Sequence, residues 1–363
     1  MTSVFVSYHY SPAFNRPEDW LIRIRAYTGM LECLSKWHTV ISIEQIDYTG
    51  KHTHNGVNYH FKKFSQAERL APRRLHRYIR DLRPDFVFVH GLHYPLQVLQ
   101  LKFQLRPKTK IIVQNHAEKP SRGFKKILQQ LVERYVDAYL FTSYEMGLDW
   151  IHQGNLSNTK KIREVMEASS VFYPVDREMA RLKLHVQGNP VFLWVGRLDE
   201  NKDPLTVVSA FLEFSRLHSA ARLYMIFQTT ALLPALSSLK IREDVNDVIN
   251  LVGQVPNPEM LFWYNSADFI ISGSHYEGSG IAVCEAMSCG CVPIVTNIPS
   301  FRKMTSHCGF LYEPGNRKAL AETLQQVMRL DWREARARVI RQFNAELSFE
   351  AMARQIHEIA GSL

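Results

Sequence analysis

Short, almost purely apolar runs alternate with longer amphipathic ones along nearly the whole chain. This rhythm constrains the fold more than any other feature. In the first half the runs are SVFVSYH, TVISIEQ, DFVFVHG, KIIVQNH and AYLFTS. In the second half they are VFLWVGRL, RLYMIFQ, VINLVGQ, FIISGS and VPIVTN. Between them lie helical patterns such as PEDWLIRIRAYTGMLECLSKW. Strands that are apolar on both faces and separated by helices belong to buried parallel sheets of the α/β class. The rhythm breaks at SSVFYPVDREMARLKLHVQGNP, which carries Pro174, Gly188 and Pro190, and then restarts. A linker is expected near 175–190. A chain of 363 residues also exceeds one ordinary core. Two doubly wound, Rossmann-like domains follow, over 1–172 and 173–345, with a terminal helix at 346–363. Ligands bind beyond the C-terminal ends of the strands in such sheets, so two domains facing each other share one cleft.

Composition narrows the setting. With 46% hydrophobic and 22% charged residues the chain reads as globular. No window approaches the apolar length of a membrane span. The start MTSVFVSYHYSP reads as a first strand rather than a signal peptide. Five cysteines, an odd number, make no disulfide framework at this size, and a reduced, cytoplasmic setting is expected. The formal charge of +9 suggests an anionic partner, whether phosphorylated ligand, membrane surface or nucleic acid.

Two stretches carry chemistry. After the strand VFLWV come Arg197 and Lys202, a fork donor and a point charge suited to a diphosphate, though either alone reads equally as a solvated loop cation. After FIISGS comes HYEGSGIAVCEAMSCG, with Glu277 on a loop and Glu285 inside a helix expected over Gly280–Cys289. Gly278, Ser279 and Gly280 precede that helix, whose start offers free amide N–H groups and a positive dipole end to an anion. A carboxylate on each side of such a start can accept hydrogen bonds from sugar hydroxyls. The set describes a nucleotide-sugar site.

VGRLDENKDP (Val195–Pro204), VINLVGQVPNPEMLFWYNSADFIISGS (Val248–Ser274), HYEGSGIAVCEAMSCGCVPIVTN (His275–Asn297) and CGFLYEPGN (Cys308–Asn316) occur in that order. Together they resemble the retaining glycosyltransferases of family 4, whose GT-B fold pairs two Rossmann-like domains. The resemblance implies that Arg197 and Lys202 bind the donor diphosphate and Glu277 the donor-sugar hydroxyls. It places the amides near Ser279, Gly280 and Ile281 over sugar and phosphate, and Glu285 on the ribose. It puts the Gly253, Gln254, Val255 loop beside the base, and matches His116 to the family's cleft histidine. It implies no metal or other cofactor, with Arg197 and Lys202 offsetting charge on the leaving diphosphate. The terminal helix is implied to cross back to the first domain. Three departures stand out. HYSPAFNRPEDW replaces a glycine pair, so Asn15 or Arg16 fills acceptor-side space. RLYMIFQTTALLP replaces a Gly-x-Gly, and Asp203 replaces the glycine after the lysine.

The expected function is therefore transfer of a hexose-type sugar from a UDP- or GDP-sugar to a glycan or lipid-linked acceptor. The first domain would bind acceptor and the second donor. The alternative is a non-catalytic nucleotide-sugar-binding protein of the same fold. No nucleic-acid motif is present, and no Gly-x-Gly-x-x-Gly follows a strand, which disfavours a nicotinamide dehydrogenase. The spacing of Cys284, Cys289 and Cys291 does not suit zinc. His90 and His93 are weaker site candidates than His116. Basic residues gather in RLAPRRLHRYIRDLRP and in KPSRGFKKILQQ. The second reads either as a solvated face or as a peripheral contact with an anionic membrane.

Overall fold

The computed structural model describes residues 1–63, 68, 70–243 and 247–363, with the backbone alone for 240–243. Arg69, the first residue of the basic stretch RLAPRRLHRYIRDLRP, lies outside them. The chain divides into two compact units, residues 1–169 with 349–363, and residues 170–348.

The first unit is built on a sheet of eight strands: β1 (Thr2–Ser7), β2 (Thr39–Glu44), β3 (Gly50–His54), β4 (Val57–Phe61), β5 (Phe86–His90), β6 (Lys110–Gln114), β7 (Ala138–Phe141) and β8 (Ile162–Glu164). Their order is β3-β4-β2-β1-β5-β6-β7-β8. Every pairing is parallel except β3 on β4. That antiparallel edge departs from the all-parallel reading. Strand β3 has no apolar run, and its Lys51 and His54 are exposed, a polar finish that blunts a sheet edge. The central strands are buried on both faces, and Phe5 stacks on Phe88 at 4.4 Å. The predicted first helix is two, α1 (Pro17–Arg23) and α2 (Arg25–Leu34), broken at Ile24 with φ −101° and ψ 14°. Helices α3 (Arg73–Asp81), α4 (Pro95–Lys102), α5 (Gly123–Glu133) and α6 (Tyr144–His152) cover the sheet. The unit's last helix comes from the far end of the chain, over Phe349–Ser362, and packs on α2. The approach is close: a Cβ on Gly29 would lie 2.5 Å from Phe349 Cδ2. His38 bridges Ser3 Oγ (2.7 Å) and His357 Nδ1 (3.0 Å).

The second unit begins with a helix, α7 (Arg177–Leu184), inside the stretch expected to be a linker. Its sheet comprises β9 (Val191–Gly196), β10 (Arg222–Phe227), β11 (Ile249–Gly253), β12 (Phe269–Ser272), β13 (Val292–Thr296) and β14 (Phe310–Tyr312), all parallel, in the order β11-β10-β9-β12-β13-β14. The intervening helices are α8 (Pro204–Ser215), α9 (Leu233–Glu243), α10 (Met260–Ser266), α11 (Ile281–Ser288), α12 (Pro299–Thr305), α13 (Arg317–Val327) and α14 (Trp332–Gln342). Phe192 anchors the core, with ring centroids 5.0 Å from Phe269 and 5.2 Å from Phe211.

Helix α7 is held by charge rather than by apolar area, which is why its sequence does not read as part of a core. The Asp268 carboxylate, 2% exposed, accepts hydrogen bonds from Arg177 Nη1 (2.5 Å) and Arg181 Nη2 (2.8 Å). It also accepts from the Val191 amide (2.8 Å). Removing one member of a buried pair leaves the others desolvated and unpaired, at about 3 kcal/mol or more. We therefore expect Asp268→Ala to lower the stability of this unit by about that much in urea unfolding. A change of only a few tenths would show that α7 is held by other contacts.

Candidate functional site

In the second sheet, β9 is flanked by β10 on one side and β12 on the other, so chain direction of the winding reverses between β9 and β12. Such a switch point opens a crevice beyond the C-terminal strand ends. The loops that leave these two strands carry the charged residues singled out in the sequence. The loops are stitched together. His275 N–H donates to the Asn201 carbonyl (2.8 Å), and Asn201 Nδ2 donates to the Tyr276 carbonyl (3.0 Å). Lys202 Nζ forms an ion pair with Glu277 Oε1, both largely buried. Gly273 permits this closeness, since a Cβ there would lie 3.0 Å from the Asp203 carbonyl and 3.1 Å from that of Lys202. Asp203 has φ +41°, the left-handed region that glycine adopts most freely. Its side chain accepts from the Thr206 amide (3.2 Å) and caps α8. Aspartate tolerates this conformation because its short side chain bonds locally.

Arg197 is exposed and its Nε donates to Asp199 Oδ2 (2.8 Å). Asp199 also accepts from the Lys202 amide (3.0 Å), which fixes the turn. The α11 helix starts after Gly280, at φ +54°. A Cβ on Gly280 would lie 2.4 Å from Phe301 Cε1, so only glycine brings the backbone in here. Gly278 and Ser279 are buried ahead of it, and Ile281 is exposed in the first turn. Glu285 lies in the second turn, and its Oε2 accepts from the Tyr264 hydroxyl (2.7 Å) on α10. Gly253, at φ +84°, Gln254 and Val255 follow the edge strand β11, separated from β9 by β10. The fold thus gathers Arg197, Lys202, Glu277 and the α11 start at one switch point, with Glu285 behind the start. The Gly253–Val255 loop stands apart from them along the same sheet end.

The first unit has its own switch point, between β1 and β5. Asn15 and Arg16 lie in the loop after β1, both exposed, with Arg16 Nε 3.8 Å from Asp19 and 3.9 Å from Glu18. The loops after β5 and β6 hold a denser polar cluster. His116 Nδ1 is 2.9 Å from Glu167 Oε2, and its Nε2 is 2.9 Å from His90 Nδ1. His90 Nε2 is 2.8 Å from the Tyr27 hydroxyl. Glu118 accepts from the His116 amide (2.6 Å) and Asn115 Nδ2 (2.9 Å), and pairs with His93 Nδ1 (2.8 Å). Burial pushes the Glu118 carboxyl up, but these bonds and the His116 charge hold it below the usual carboxylate range. Both His116 ring nitrogens therefore have protein partners.

Sequence reading missed Tyr264, Asp199, Asn201, Tyr27, Glu118 and Glu167. Glu118, two residues past His116, and Asp199, two residues past Arg197, stood where a local signal existed. Tyr264, Asn201, Tyr27 and Glu167 reach their partners from elements distant in sequence. Among the described residues no group of three or more His, Cys, Asp or Glu side chains is placed to hold a metal ion. No helix among them is long and apolar enough to cross a membrane.

The profile of the family described as Glycosyl transferases group 1 matches residues 176–344. The chain is 33% identical over 87 residues to O-antigen chain mannosyltransferase B of Escherichia coli, covering 24% of this chain and 23% of that protein. It is 25% identical over 170 residues to D-inositol 3-phosphate glycosyltransferase of Thermobispora bispora, covering 44% of this chain and 40% of that protein. The matches thus span less than half the length of these relatives. Among solved structures, sucrose-phosphate synthase from Thermosynechococcus elongatus aligns with TM-score 0.70 at 16% identity, over 99% of this chain and 98% of that one. Anabaena HepE in complex with UDP aligns with TM-score 0.73 at 12% identity, over the whole of both chains. The chain carries the two Rossmann-like domains of the GT-B fold, and its second unit is similar to the glycosyl transferases group 1 family over residues 176–344.

Proposed function

We propose that this protein is a retaining glycosyltransferase that moves a hexose-type sugar from a UDP- or GDP-sugar to a glycan or lipid-linked acceptor. One observation carries the reading: Lys202 pairs with Glu277 at the β9/β12 switch point, on the same strand-end loops that hold Arg197 and the glycine-started helix carrying Glu285. In this reading Arg197 and Lys202 hold the diphosphate and take up charge as the bond from the anomeric carbon to the phosphate oxygen breaks. The α11 amides add to that anion site. Glu277 accepts hydrogen bonds from the donor sugar and Glu285 from the ribose, sharing its carboxylate with Tyr264. The acceptor hydroxyl proton leaves with a donor phosphate oxygen, on the face from which the diphosphate departs. No metal is required, since the cations supply the charge. The Gly253, Gln254, Val255 loop sits beside the base. The first unit binds acceptor, with Asn15, Arg16 and His116 on that side.

The arrangement has a consequence for Glu277. Its carboxylate is paired with Lys202. The sugar hydroxyls must draw Glu277 away from Lys202 as the diphosphate takes its place. Glu277→Gln should therefore bind the bare nucleoside diphosphate at least as tightly as wild type, while transfer falls by about a hundredfold or more, the scale of losing a charge-assisted contact made in the transition state. Calorimetry and a transfer assay together check this. Unchanged transfer would remove Glu277 from the reaction, and binding without transfer in wild type would favour a non-catalytic nucleotide-sugar-binding protein.

We also propose peripheral contact of the first unit with anionic membrane, through α5. Phe124, Ile127 and Leu131 lie on one helical face and are 73%, 51% and 41% exposed. Lys119, Arg122, Lys125 and Lys126 lie beside or just ahead of them. Apolar side chains at i, i+3 and i+7 amid cations suit the interface of an anionic bilayer. The protein should sediment with phosphatidylserine vesicles and not with neutral ones. Equal sedimentation with both, or none with either, would exclude the contact.

A further inference from the structure

The Glu167–His116–His90–Tyr27 chain admits a sharper reading than a polar loop. Two ring nitrogens that face each other share one hydrogen, so His116 Nε2 and His90 Nδ1 cannot both donate. Two self-consistent states follow. In the first, His116 is charged and donates from Nδ1 to Glu167 and from Nε2 to His90. His90 is then neutral, protonated on Nε2, and donates to the Tyr27 oxygen, leaving the Tyr27 hydroxyl hydrogen to go elsewhere. In the second, His116 has lost its Nε2 hydrogen. His90 must then donate from Nδ1 and accept on Nε2 from Tyr27. One proton reverses the polarity of the whole chain, from the segment after β8 to α2.

We propose that this chain is a one-proton switch, with Glu167 and His90 as positioning residues that fix the His116 ring between a carboxylate and a second imidazole. The groups that face it are Glu167 from the segment after β8, Glu118 on the same loop, His90 on β5, His93 through Glu118, and Tyr27 from α2. Glu44 on β2 acts in turn on Tyr27. Phe5 on β1 packs against the His90 ring and brings no charge. Burial alone favours a neutral His116, but the hydrogen bond and charge of Glu167, with the charge of Glu118, outweigh it and raise the value above that of ordinary histidine. Burial, and then the charge on His116, hold His90 well below it. The raised group stabilises the fold fully below the unfolded value of about 6.5, and that contribution is lost as pH rises through the folded value. The depressed group acts in the opposite sense and opposes folding in acid. The charged state is the one that serves acceptor-side chemistry; this last clause rests on the transferase reading above.

Histidine side-chain NMR on the full chain tests the switch without any donor or acceptor. In wild type, His116 should titrate above about 6.5 while His90 shows no titration near neutrality. In Glu167→Gln the His116 midpoint should fall by about one unit, the shift expected for losing one adjacent carboxylate. The alkaline limb of the transfer rate against pH should move down with it. A wild-type His116 that titrates at or below 6.5, or a midpoint unmoved in Glu167→Gln, overturns the switch. The wild-type titration decides even where the variant does not fold. If the titrations hold and no nucleotide sugar supports transfer, the switch stands and the transferase reading falls.

Discussion

The loops after β9 and β12 are tied to each other by their own hydrogen bonds and an ion pair, and the candidate site depends on that tie. Gly273 lets one backbone lie against the carbonyls of Lys202 and Asp203. The Asn201 and His275 hydrogen bonds and the Lys202–Glu277 ion pair then fix the two loops in register. Beneath them lie the sheet and α8, whose Phe192 and Phe269 (sheet) and Phe211 (helix) are fully buried. In the proposed transferase reading, a diphosphate bound here meets cations and amides that are already placed, which lowers the ordering cost of binding. In that reading Lys202 and the more exposed Arg197 exchange carboxylate partners for phosphate ones.

The second unit was the more legible in sequence because its candidate site residues sit where the backbone rule puts them. Strand-end loops of doubly wound sheets carry ligands, and Arg197, Lys202, Glu277 and Gly280 all lie within a few residues of a strand end. The expected helix over Gly280–Cys289 is α11, with Gly280 and Cys289 as its caps. Less legible were elements held by polarity. Helix α7 is bound through Asp268 by two arginines and so read as linker. Strands β3, β8 and β14 are short or mostly polar and gave no apolar run. Asp203 looked like a departure from glycine, yet it keeps the left-handed backbone and adds a helix cap.

The first unit shows the complementary limit. His116 could be picked out at the end of β6, and His90 and His93 near the end of β5. The partners of His116 and His90 are Glu167 and Tyr27, each more than 50 residues away along the chain, and His93 meets Glu118 from the next strand's loop. No spacing in the sequence announces a contact of that kind. It arises because β5, β6, β7 and β8 are neighbours, so their terminal loops share one end of the sheet. The resulting cluster has two carboxylates, Glu167 and Glu118, around the His116 ring and its amide.

The most direct test of the donor site is calorimetric titration with UDP, GDP, ADP and their common sugar conjugates, without added metal, on wild type and Arg197→Ala. The account predicts micromolar binding of UDP or GDP by wild type, weakened by about tenfold or more in Arg197→Ala, the scale of losing a charge-assisted hydrogen bond. Binding of none of these nucleotides by wild type, or equal binding by both proteins, would contradict it.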